Sequence, residues 1–221
     1  DVMLKHNDPT VRENASDIVA LMTPVIKSFF TDIGVEITNN AMEVYGGHGY
    51  IKEHGMEQLV RDVHIAPIYE GTNAVQAIDL VLRKLTMKDG KVINSYLAHI
   101  DKEINKLSSE DNLKEFCSSL NKYNNILKDL TSWIQNNAKT NQDEVNGAAT
   151  EYLNIFALVS IGLMWLKMAD VAYRKIEENK DFYKSKIDCA SIFFTRILTR
   201  IDAYSNVKSG SDIIMNYNFK N

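Results

Sequence analysis

A chain of 221 residues suits one large domain or two small ones and can bury a sizeable core. With 45% hydrophobic and 24% charged residues its balance is that of an ordinary globular protein. The net charge of −4, with Lys and Arg scattered along the chain, excludes a basic nucleic-acid surface.

The two cysteines, Cys117 and Cys189, form no metal or redox spacing and read as free thiols of a reducing compartment. No signal peptide pattern is present, but the chain starts at Asp1 rather than Met, as expected of a processed product or a piece of a longer protein. The longest uncharged run, residues 152–166, holds Asn154, Ser160 and Gly162 and is shorter than a bilayer requires, so it is expected to be a buried helix and not a membrane span.

With only three prolines and ten glycines, and helical periodicity throughout, the sequence predicts an all-α fold. Residues 1–10 are polar. Asp8 is a candidate cap for a helix with Pro9 in its first turn. Ile18, Leu21, Met22, Val25, Ile26 and Phe29 form an apolar stripe, and Thr23-Pro24 within it is expected to kink or break the helix. A further helical run extends to Val44, through Phe29, Phe30, Ile33, Ile37 and Ala41. It ends in Tyr45-Gly46-Gly47-His48-Gly49-Tyr50, whose glycines stop a helix and allow close approach of a ligand or another backbone. Residues 53–64 suggest a short helix with Met56, Leu59, Val60 and Val63 on one side, and Arg61-Asp62 suggests ion pairing. His48, His54 and His64 lack a metal-ligand arrangement, so no metal is assigned, and His6 and His99 read as surface or packing residues.

Glu70 follows the apolar, proline-marked segment Ile65-Ala66-Pro67-Ile68-Tyr69 and precedes Gly71, Thr72 and Asn73, a turn running into a helix start. Val75, Ile78, Val81, Leu82 and Leu85 give the next helix its stripe; Thr72 or Asn73 can cap it, and Asn73 with Gln76 has capping-box spacing. A carboxylate just outside a helix start can reach a ligand toward which backbone N–H groups also point.

A polar break at residues 86–91 divides the chain into an expected first helical domain, 1–86, and a second, 91–221. In the second, two amphipathic helices are expected over 92–139, split near residues 108–111. A polar linker at 138–146 leads to a long helix over about 144–178, apolar on nearly every face, and a last helix covers about 181–206. Two antiparallel pairs make a four-helix bundle the economical arrangement.

Two blocks, Glu43-Val44-Tyr45-Gly46-Gly47-His48-Gly49-Tyr50 and Leu59-Val60-Arg61-Asp62 through Ile68-Tyr69-Glu70-Gly71-Thr72, make residues 41–85 resemble the carboxy-terminal α-helical domain of the acyl-CoA dehydrogenases. Residues 11–40 resemble the preceding helices more loosely. The stretch after Lys84 is similar to the extra helical domain of a longer subfamily that includes 3-methylmercaptopropionyl-CoA dehydrogenases. The resemblance implies an FAD enzyme that oxidises acyl-CoA thioesters between Cα and Cβ. Glu70 falls on the catalytic base, whose backbone N–H helps hold the thioester carbonyl beside a flavin ribityl hydroxyl. Gly71 and Thr72 fall on flavin contacts, and Glu43 to Gly47, including Gly46, on the segment that reaches FAD held mainly by a neighbouring subunit. Glu43 stands where the family usually has Gln.

The resemblance further implies an electron-transfer flavoprotein as partner, a homo-oligomer, and a cytoplasmic location (mitochondrial matrix in a eukaryote). Long members carry an amino-terminal helical domain and a middle β domain ahead of this part, so the 221 residues alone are expected to bind FAD poorly and to be inactive. The 91–221 bundle is expected to serve oligomer contacts or to cover a partner's active-site side. An acyl-CoA oxidase of the same fold, or a non-catalytic helical assembly module that retains the motif as packing, stays open beside the dehydrogenase.

Overall fold

The computed structural model describes residues 2–204, 206–208, 210, 213 and 216–218, and all regular structure among them is helical. The chain divides into two compact units, Asp1–Lys84 and Leu85–Asn221.

The first unit is built on one long helix, α1 (Pro9–Val44), capped by the Asp8 side chain, which accepts from the Thr10 N–H. Of the kink or break expected at Thr23-Pro24, the break does not occur: α1 runs through Pro24, which is buried. A proline inside a helix costs about 3 kcal/mol. Leu21, Val25 and Phe29 are buried on either side of it, and burying each such side chain gains roughly 1.5–3 kcal/mol, so an unbroken apolar stripe outweighs the lost bond. The glycine-rich segment does stop α1, with Gly46 at φ 58°, but then forms a further short helix, α2 (Gly47–Tyr50). The helix expected over 53–64 is shortened to α3 (Met56–Val63) behind left-handed Gly55. α4 (Asn73–Leu82) completes the unit, and both α3 and α4 lie against α1. Gly34 makes room for this: a Cβ there would come within 3.2 Å of Val63 Cγ2.

The second unit is a bundle of α5 (Lys91–Leu107), α6 (Lys114–Asn137), α8 (Ala149–Arg174) and α9 (Lys180–Ile192). A short α7 (Gln142–Gly147) occupies the expected linker and separates off what the sequence predicts as the start of the long helix. α8 is buried on nearly every side, from Tyr152 and Phe156 to Leu166 and Ala172, as its composition requires. The last expected helix changes character: beyond α9 it passes into a π-helical turn, Phe193–Ile197, and a 3-10 segment, Leu198–Tyr204. The wider turn lets the consecutive residues Phe193 and Phe194 both face inward, and Phe194 stacks on Phe116 with ring centroids 4.6 Å apart.

By length and composition, α1 and α8 could each cross a membrane. In α8 the apolar stretch exceeds the fifteen-residue run seen in the sequence, and 61% of it is buried inside the protein, as in the central helix of a bundle.

Candidate functional site

The site residues suggested by the sequence all lie in the first unit, at two places. Glu70 stands at the tip of the loop between α3 and α4, exposed to solvent, with backbone φ 58°; Gly71 follows at φ 83°. Two successive left-handed residues turn the chain sharply. Gly71 takes this conformation at no steric cost, but for Glu70 it costs roughly 1–2 kcal/mol, so the surroundings must hold it. The Glu70 backbone N–H has no hydrogen-bond partner among the described residues, and its carbonyl accepts from Gln76 Nε2 at 2.8 Å.

The holding group is Lys27, on the flank of α1. Its Nζ donates to the Gly71 carbonyl at 2.7 Å, to Asn73 Oδ1 at 2.8 Å and to the Pro67 carbonyl at 3.1 Å. Asn73 Nδ2 in turn shares its two protons among three acceptors, Asp32 Oδ1 at 2.6 Å, Thr31 Oγ1 at 2.9 Å and the Ser28 carbonyl at 3.1 Å. The capping box expected of Asn73 and Gln76 is therefore not formed. Asn73 faces α1, Gln76 faces back to Glu70, and Thr72 at the N-cap makes no side-chain cap bond. Asn73 can be spared because α4 starts against another helix, which offers its amide better-buried partners than its own first turn does. Neither Lys27 nor its role was visible in the sequence: its partners lie 40 to 46 residues away, and a lysine beside an apolar stripe is commonplace.

Glu43, Gly46 and Gly47 lie together at the end of α1, all exposed. A Cβ at Gly46 or Gly47 would meet nothing within 4 Å, so the turn presents bare backbone. Gly49 is different: it is buried, and a Cβ there would sit 2.3 Å from the Met42 carbonyl oxygen, so only glycine lets the turn close against α1. Open glycine backbone fits the approach of a large group such as a dinucleotide, and the Glu43 carboxylate is the part least suited to a phosphate. His48 and His54 meet edge to face at 5.2 Å, and Arg61 forms the expected ion pair with its surroundings, with Glu57 one turn earlier on α3. Among the described residues no group of His, Cys, Asp and Glu side chains is placed to hold a metal ion.

Known proteins match both units. The family model described as "Acyl-CoA dehydrogenase, C-terminal domain" matches residues 10–85, and that described as "Acetyl-CoA dehydrogenase C-terminal like" matches residues 96–218. A butyryl-CoA dehydrogenase of Syntrophomonas wolfei is 29% identical over 200 residues, covering 86% of this chain and 32% of that protein. The 3-methylmercaptopropionyl-CoA dehydrogenase of Ruegeria pomeroyi is 35% identical over 94 residues, 42% of this chain and 16% of that protein. The crystal structure of Caenorhabditis elegans ACDH-11 in complex with C11-CoA shares the fold with a TM-score of 0.71 at 20% identity, over 94% of this chain and 35% of that one. The chain thus spans about a third of the length of the first of these relatives. With one family model covering more than half of its residues and a second covering most of the remainder, the chain belongs to the acyl-CoA dehydrogenase family, of which it is the carboxy-terminal portion.

Proposed function

We propose that this chain supplies the proton-abstracting carboxylate of an acyl-CoA dehydrogenase, an oxidoreductase that introduces a Cα–Cβ double bond into an acyl-CoA thioester. The observation that carries the proposal is Glu70 itself: exposed, at the tip of a left-handed loop, inside the stretch matched by the family's C-terminal domain.

An α-proton beside a thioester is weakly acidic, and its removal needs a positioned base and stabilisation of the enolate oxygen. Glu70 serves as the base. Its backbone N–H, without another partner among the described residues, serves as a donor to the thioester carbonyl. FAD, when bound, supplies the acceptor for the β-hydride; Gly71, Thr72 and the bare turn at Gly46 and Gly47, with Glu43 beside it, are the residues here that would meet it. A water-free pocket raises the basicity of a carboxylate by desolvation, so the exposed Glu70 is to be covered by other parts of the full-length protein or of a second subunit. The partner that would take up the reducing equivalents is an electron-transfer flavoprotein.

The substrates named for two relatives, butyryl- and 3-methylmercaptopropionyl-CoA, both carry short acyl chains, and a short-chain acyl-CoA, 3-methylmercaptopropionyl-CoA among them, is the class we propose. The test is Glu70→Gln in the full-length protein, assayed with short acyl-CoAs. A general base contributes about 10²–10⁴-fold, so the rate should fall by at least that lower figure with helical content unchanged. A variant that keeps its rate would make Glu70 scaffold and leave the domain a helical assembly module.

A further inference from the structure

Lys27 lies in the stretch that resembles the family only loosely, yet its ammonium makes three polar contacts with the loop that carries Glu70. Its three donated bonds end on acceptors that straddle Glu70 in the chain, at Pro67 before it and at Gly71 and Asn73 after it. An ammonium has three protons and no acceptor, so its donor capacity is filled by this one loop. Both stems of the loop are drawn to one point on α1 and Glu70 is left at the tip. Two backbone carbonyls and an amide oxygen converging on one spot repel each other unless hydrogen-bond donors stand between them, and an ammonium offers three from one atom. The N–H groups of α1 are spent within the helix and cannot do this. Asn73 then locks the ammonium's own position, since its amide nitrogen is held by the neighbouring Ser28 carbonyl and by Thr31 and Asp32 about one turn further along the same helix.

We infer that Lys27 is a positioning residue for Glu70: its ammonium fixes the left-handed loop in which the carboxylate is aimed, and so sets the rate of proton abstraction without touching substrate. This rests on Glu70 being the base. The loop carries a non-glycine residue at positive φ, and with the cation gone it has every reason to relax. Misplacing a reacting group by about 1 Å can cost around 10²-fold in rate.

The test uses the full-length flavoprotein and compares Lys27→Met, Lys27→Arg and Glu70→Gln. Three quantities are read: flavin content, acyl-CoA affinity, and the rate of acyl-CoA-dependent flavin bleaching at saturating substrate, the last with and without α-deuteration. Lys27→Met is expected to keep flavin content and acyl-CoA affinity within about threefold and to bleach roughly 10–100-fold more slowly. Its α-deuterium isotope effect should be enlarged, since proton removal has become harder. Lys27→Arg keeps the charge and several donors and should recover part of the rate, although a planar fork cannot cover three separated acceptors. A bleaching rate for Lys27→Met within threefold of wild type, or a loss that only follows lost flavin, overturns the inference. If Lys27→Met does not fold, Asn73→Ala, which removes one of the acceptors and the lock, is judged by the same rates. Should Glu70→Gln keep its rate, the base assignment falls. Should Glu70→Gln be inactive while Lys27→Met is unimpaired, only the role of Lys27 falls.

Discussion

The hydroxyl of Tyr152 is fully buried and meets one side chain, Thr131, at 2.7 Å. Because Thr131 Oγ1 itself donates to the Leu127 carbonyl at 2.7 Å, the tyrosine must be the donor between the two. Burial pushes the Tyr152 phenol far above its ordinary range, with the Thr131 bond opposing weakly. Thr131→Val leaves that hydroxyl sealed without an acceptor. Urea unfolding should show a loss of about 1–3 kcal/mol, and adding Tyr152→Phe should restore most of it. At this scale the sequence was legible where a residue shapes its own stretch of backbone. Glu70-Gly71-Thr72 can be picked out as a turn before a helix, because glycine and helix-start residues act on their immediate neighbours. Lys27, Thr131 and Tyr152 could not be, since each owes its role to a partner that folding alone brings near.

Between elements, the 3-10 segment Leu198–Tyr204 is tied to α6 by Asp202, which accepts from Lys122 Nζ at 3.0 Å and from the Tyr123 hydroxyl at 2.8 Å. The Lys122 bond, and after it the Tyr123 bond, hold the Asp202 carboxyl below its ordinary value of 3.8. A carboxyl whose folded value is depressed adds stability above its unfolded value and loses it as pH falls through the folded one. Lys122 and Asp202 are both more than half exposed, so Asp202→Asn should cost less than about 1 kcal/mol at neutral pH. The difference from wild type should close as denaturation is followed below about pH 4. Helix identity and faces were legible from apolar spacing throughout this unit. Helix ends were less so: α7 breaks away from α8, and the π-turn replaces a plain helix, because tertiary fit around Phe193 and Phe194 overrides local preference. At Pro24 the helix continues where a break was one of two expected outcomes, since the breaker rule is local and the buried stripe beside it is not.

Across the whole molecule the interior is unevenly shared. Of the twelve largest fully buried side chains only Leu21 and Leu80 belong to the first unit. That unit also leaves Ile26, Phe30, Ile37, Val44, Leu59, Ile65, Ile68 and Val75 exposed. Produced separately, residues 85–221 should melt in one cooperative step. Residues 1–84 should melt broadly, at lower temperature, and bind an apolar dye; equal, sharp transitions for both would contradict this. The all-α class was legible from composition and period, because few breakers and a 3.6-residue stripe leave no other way to bury so many apolar side chains.

The uninterrupted course of α1 has a consequence for how such genes can change. Lys27 and the turn at Gly46 are carried by the same rod, so inserting or deleting one residue between them would swing the turn by about 100° around the rod and slide it by about 1.5 Å. We expect length variation between positions 28 and 44 to disrupt the proposed site, whereas the exposed bend at residues 108–111 lies outside it.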